Sequence, residues 1–213
     1  MWPLFLFLLI SFVSLQELAG PACAASLSID RSDTKTAILE GTIDLGDFAK
    51  LQNFLGSNKD IVQIYLASPG GNLAEALRIG LLVRRLNLST TVPNKVLTRQ
   101  ALEQVSMRHG LEHPETDYLC ASACFFIFVA GVHRDSDSNG SPLLGIHSPF
   151  ISRQKLRGIS TYQASEIKDA GRAEIETYFK IMNVSSRYVL YMYSASTKLR
   201  WIRDDEFNSD FRD

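Results

Sequence analysis

Cysteine is scarce in this 213-residue chain, at three residues, which excludes a scaffold built on disulfides. Seven prolines and 13 glycines are too few for a collagen-like or low-complexity chain. Neither sign of charge is in surplus. With 22 basic against 23 acidic side chains the net charge is -1, so the basic footprint that neutralises nucleic-acid phosphates or an anionic membrane is missing. No residue before Glu17 is charged, and no basic residue precedes Arg31. What remains is ordinary globular composition, 46% hydrophobic and 21% charged, long enough for one domain with a sizeable core.

Residues 2–13 form an uncharged apolar run, shorter than the ~20 residues a spanning helix needs and followed by Gln16 and Glu17. Ala22-Cys23-Ala24 behind it fits an A-x-A cleavage site, so residues 1–24 read as a secretory signal and 25–213 as a single mature domain. The expected location is periplasmic or secreted; the alternative is a membrane anchor left uncleaved. Cys120 and Cys124 are then the only thiols of the mature chain, in a compartment that permits a disulfide.

Apolar periodicity predicts a strand over 35–43, a helix over 47–55, a strand over 61–67, a helix over 73–86 and a strand over 90–96. This alternation implies an α/β domain with parallel pairing and crossover helices. Residues 97–119 are polar and read as an insertion holding a helix near 99–107. The dense apolar stretch 125–129 leaves strand and helix both open. A short strand over 143–147, a long helix over 162–182, a helical continuation over 186–193 and a short terminal element over 201–211 complete the reading. Tyr178, Phe179, Met182, Tyr188, Tyr191, Met192 and Tyr193 are expected to pack on the core or on a neighbouring subunit.

Three short segments carry chemistry. Ser68-Pro69-Gly70-Gly71 falls where a strand ends and a helix begins; its glycines let the backbone turn and bring peptide N–H groups close to an anionic ligand or oxyanion. Strand-to-helix turns also carry glycine for steric reasons alone. In Cys120-Ala121-Ser122-Ala123-Cys124, small neighbours leave the Ser122 hydroxyl accessible, and a nearby base would make it a nucleophile; tight packing is the plain alternative. His147 closes an apolar strand ahead of Ser148-Pro149, so it projects from a strand end. Its imidazole can take and return a proton near neutral pH. His109, His113 and His133 are weaker candidates, lying in the insertion or beside Arg134.

Two metal readings are set aside. Residues 135–140 match half a calcium loop, but Ile146 occupies the position of the bidentate Glu, so a polar hairpin turn is expected. Cys120 and Cys124 lack Cys-x-x-Cys spacing, and Pro114 keeps His113 off a helical face shared with His109. Neither a metal nor a cofactor is expected.

Ile64-Tyr65-Leu66-Ala67-Ser68-Pro69-Gly70-Gly71, Ala121-Ser122-Ala123 and Gly145-Ile146-His147-Ser148-Pro149 together resemble, in order and spacing, three segments of the Clp protease proteolytic subunit. The resemblance runs over about residues 36–149 and is nearest to exported Clp-like proteins with a Cys-x-Ser-x-Cys motif. It implies the ClpP/crotonase spiral of ββα units, with a long helix after the histidine strand. It also implies Ser122 as nucleophile, His147 as general base, and the amides of Gly71 and Ala123 as oxyanion hole. The implied activity is a serine hydrolase, a peptidase acting on peptide or other acyl substrates, with copies of the chain associating through the long helix. An exported chain would have no ATP-driven partner.

The family's third residue, an Asp, has no counterpart: residues 194–199 read Ser-Ala-Ser-Thr-Lys-Leu. Asp169, Asp204 and Asp205 are the substitutes to consider, and a Ser–His dyad is the other option. Cys120 and Cys124 could bond and stiffen the turn around Ser122, which on geometry needs Cys120 outside the helix that holds Cys124; free buried thiols are the alternative. Two other functions stay in view: a non-catalytic periplasmic binding or assembly protein on the same fold, and a crotonase-type acyl-thioester enzyme.

Overall fold

The structure is a computed structural model that describes residues 24–149, 158–194 and 198–212. The expected signal segment up to residue 23 lies outside the described residues, as do residues 195–197 of the 194–199 stretch.

In chain order the elements are β1 (Ser26–Ile29), β2 (Thr36–Glu40), α1 (Asp47–Ser57), β3 (Gln63–Ala67), α2 (Leu73–Arg85) and β4 (Ser89–Val92). Next come α3 (Arg99–His109), α4 (Pro114–Asp117), β5 (Cys120–Ala121), α5 (Ala123–Phe128), β6 (Arg134–Ser136) and β7 (Leu144–Ile146). α6 (Thr161–Ile181), α7 (Arg187–Ser194), β8 (Arg200–Trp201) and α8 (Asp204–Asp210) close the chain. Strands β1-β2-β3-β4-β6 form one sheet in that order, parallel except for the antiparallel edge strand β1. A second, small sheet runs β5-β7-β8, with β5 and β7 parallel. Isolated bridges Ile43–Gly71 and Ser68–Cys120 carry the pairing from the ends of β2 and β3 onto β5. Segments leaving β3, β5 and β7 therefore end side by side. In open α/β sheets, ligands settle in the crevice outside the carboxyl ends of strands.

Local chemistry explains the helices. The Asn72 side chain caps α2 by accepting from the Glu75 N–H, and the Glu75 carboxylate accepts from Gly46 and Phe48 N–H at the start of α1, tying the two helices together. Six residues of α5 are apolar or small and all are buried, which settles the ambiguous 125–129 stretch as a helix enclosed on every side. Its Phe125 packs against Phe179, Tyr188 and Phe211 at centroid distances of 6.1, 6.0 and 5.8 Å. A capping box between Ser160 and Gln163 starts α6. Of the aromatic and methionine row, Tyr178, Phe179, Met182, Tyr188 and Met192 are buried in the core, while Tyr191 and Tyr193 are partly buried. Among the described residues, no helix is long and apolar enough to cross a membrane.

Several expectations need correction. β4 stops at Val92 instead of 96, because Pro93 has no N–H to continue the ladder. The 97–119 segment holds two helices, α4 being begun by Pro114 at a position where its missing N–H costs nothing. Residues 135–140 are no hairpin: β6 pairs with β4 in the large sheet and β7 with β5 in the small one, joined by a 3-10 turn over Asp137–Asn139. β1 and β5 are too short to leave a periodicity signal.

Candidate functional site

The turn after β3 is shaped by close approach. Gly70 has φ +103°, and a Cβ on it would stand 2.6 Å from Ala121 O and 2.7 Å from Ser122 Cβ. Gly71 has φ +138°, and its Cβ would come 2.1 Å from Ile43 O. Both positions exclude a side chain, by conformation and by space. Ile43 N donates to Gly70 O and Asn72 N donates to Ile43 O, each at 2.8 Å. This pairing uses the groups on either side of Gly71, so the Gly71 N–H itself points away from Ile43.

Ser122 stands between β5 and α5 with φ 57° and ψ -120°, a conformation that a non-glycine residue seldom adopts. Its own N–H donates to Gly145 O at 3.0 Å and so locks the turn to β7. A strained strand-turn-helix serine of this kind holds its hydroxyl clear of both flanking elements. Cys120 in β5 and Cys124 in α5 are joined by a disulfide across the turn, with Cα atoms 5.3 Å apart. Cys120 lies outside the helix, as the bond required, and both cysteines are fully buried.

His147 follows β7. Its Nδ1 lies 2.7 Å from the carbonyl oxygen of Ser148. A carbonyl only accepts, so Nδ1 carries the hydrogen, and in the neutral ring Nε2 holds the lone pair. Ser122, His147, Gly71 and Ala123 line a single cleft of about 630 Å³. Leu77, Phe126 and Ile175 supply apolar lining. Nucleophile–base contacts in ligand-free sites are commonly long and tighten in the substrate complex.

The three aspartates considered as the acid are not among the cleft's lining residues. Asp204 accepts from Ser141 Oγ at 2.6 Å and lies 3.7 Å from Lys95 Nζ. Asp205 accepts from the Arg203 guanidinium at 3.0 and 3.1 Å, which holds its carboxyl below the usual range. Asp169 is exposed on α6. The carboxylate that does face the cleft is Glu174, with Lys168 on the same helix, and sequence reasoning missed both. Helical spacing from Ile167 through Gly171 to Ile175 was the available signal.

His109, in contrast, is enclosed. Its Nδ1 is 2.6 Å from Asp30 Oδ2, its Nε2 is 3.5 Å from Asp137 Oδ2, and its ring stacks on Tyr65 at 4.4 Å. Burial works against a charged ring, but the Asp137 and Asp30 carboxylates outweigh it and hold His109 above the ordinary imidazole value. Asp137 is likewise held below its ordinary value, His109 outweighing the cost of burial. Burial pushes the Tyr65 hydroxyl far up.

No protein-family model matches the chain, and no curated protein sequence is similar to it. Among solved structures, a ClpP1 mutant from Listeria monocytogenes superposes with a TM-score of 0.50 at 16% identity, covering 83% of this chain and 87% of that one. At that identity the likeness concerns the fold alone. The fold is ClpP-like.

Proposed function

We propose that the protein is an exported serine hydrolase, acting on peptides or other acyl compounds. Ser122 Oγ attacks the substrate carbonyl as its proton passes to His147 Nε2. The Gly71 and Ala123 N–H groups stabilise the oxyanion that forms; a single such donor contributes about 3 kcal/mol to catalysis. The imidazolium then protonates the leaving group, and a water activated by the same nitrogen releases the acid and restores Ser122. The Ser148 carbonyl does the orienting work of the family's Asp: it fixes the tautomer, while giving the imidazolium less electrostatic support than a carboxylate would.

The observation that carries this reading is the strained Ser122 turn, opening into the cleft that also holds His147. The ClpP-like fold supports a peptidase-type chemistry. A Cys120–Cys124 bond agrees with an oxidising compartment. Exposed apolar side chains on α6 and α7, Tyr162, Ile181 and Leu190 among them, support association between copies. Turnover of p-nitrophenyl esters and a fluorogenic peptide mixture tests the reading: the native chain should hydrolyse members of either set and Ser122→Ala none. Equal rates in the two proteins would remove it.

A further inference from the structure

Three glycines line or shape the cleft, and one differs from the others. Gly70 and Gly71 are required by backbone conformation and by atoms within 3 Å. Gly171 is required by neither. It lies midway along the 21-residue helix α6, its φ is outside the left-handed region, and a Cβ built on it would meet no atom of the described residues within 4 Å. Glycine is disfavoured at a helix interior relative to alanine. Gly171 lines the cleft, so the open space in front of it adjoins the volume that Ser122 and His147 also line.

The rest of the α6 face gives that space its character. Ile167, Gly171, Glu174 and Ile175 recur at helical spacing, with Lys168 beside them, and all five line the cleft. Lys168 and Glu174 stand three residues to either side of Gly171, about 9 Å apart along the axis at 1.5 Å per residue. Both are exposed, and neither forms an ion pair with another described residue. One is basic and the other acidic, so this wall of the cleft carries no net charge and selects by shape more than by charge. Ile175, Leu77 and Phe126 line the same cleft with apolar surface.

We propose that Gly171 is a specificity-determining residue: the side chain it lacks leaves room for a long or bulky apolar acyl group that extends from Ser122 along the α6 wall. This rests on the hydrolase reading and adds the substrate class to it. A residue with a large side chain at 171 would fill the gap while leaving Ser122, His147 and both amides untouched. Short acyl groups, which end before α6, should be indifferent to it.

Gly171→Phe and Gly171→Ala separate the two claims when assayed on p-nitrophenyl acetate and p-nitrophenyl decanoate, beside labelling by a methyl fluorophosphonate. Labelling and acetate turnover should stay within about twofold of the native chain in both variants. Decanoate kcat/KM should fall about tenfold or more in Gly171→Phe, the scale at which a filled pocket discriminates. Gly171→Ala, which favours the helix and secures a folded protein, should shift the decanoate-to-acetate ratio in the same direction by less. An unchanged ratio in both variants, with Ser122 still labelled, would overturn the Gly171 proposal alone. Absence of labelling in the native chain would overturn the hydrolase reading and this inference with it.

Discussion

Two histidines of this protein have opposite surroundings. His109 has carboxylates near both ring nitrogens, an aromatic ring stacked on its face and little exposure to solvent. His147 lines a cleft together with a strained serine, and its Nδ1 lies against its neighbour's carbonyl. Acids around an imidazole do not make it a base: the Asp137 and Asp30 carboxylates favour the charged form of His109, which is enclosed and works as a pin. It fastens the end of α3 to Asp30 after β1 and to Asp137 after β6, across a sheet face that holds buried Tyr65. The proposed catalytic use asks instead for access to substrate, and His147 lines the cleft that Ser122 also lines.

The contrast can be broken most sharply by exchanging the two residues' fates. His147→Ala should lower ester turnover by a factor of about 10³ or more, in the range expected on loss of a general base, while leaving the thermal midpoint nearly unchanged. His109→Ala should do the reverse. Removing it strands the buried Asp30 and Asp137 carboxylates, and equilibrium denaturation should show a loss of about 3–5 kcal/mol, with phosphonate labelling of the surviving folded protein intact.

Removal of the bond across the Ser122 turn has a middling effect. The Cys120→Ala, Cys124→Ala double variant closes no loop in the unfolded chain, so it should lose about 2 kcal/mol by the loop-entropy estimate, read by urea titration. Its labelling rate should also fall, because the strained serine backbone loses one restraint and keeps the Ser122 N–H bond to Gly145 and the Phe125 N–H bond to Ser122 O.

The smallest effect is on pH dependence. His109 is raised in the folded state, so its contribution to stability is complete below the ordinary imidazole value and fades as pH rises through the folded one. Asp137 is lowered, so its contribution is present above the ordinary carboxylate value and fades as pH falls through the folded one. Urea midpoints measured between these limits should form a plateau that declines on the alkaline side. His109→Gln should flatten that alkaline decline and leave the pH profile of ester turnover unaltered.

Much of this organisation was legible in the residues. The alternation through β2, α1, β3, α2 and β4 follows from apolar period alone, and glycine pairs mark the turn after β3. Ser122 and His147 were singled out by small neighbours and by a strand end. What stayed hidden depends on contacts distant in sequence. β5 is a two-residue strand that exists through Ser68 on one side and Leu144 and Gly145 on the other. Asp137 sat in a segment that looked like a solvated turn, and only the 3-10 geometry brings it to His109. Glu174 and Lys168 belonged to a helix whose cleft-facing side no local pattern reveals. A backbone carbonyl as the partner of His147 has no sequence signature at all.

Intact-mass and peptide mapping after exposure to a fluorophosphonate is the most direct trial of the catalytic cleft. One phosphonyl group should attach per chain, on the peptide containing Ser122, and the adduct should vanish in His147→Ala while persisting in His109→Gln. An unmodified native chain, or an adduct that survives loss of His147, would contradict the account.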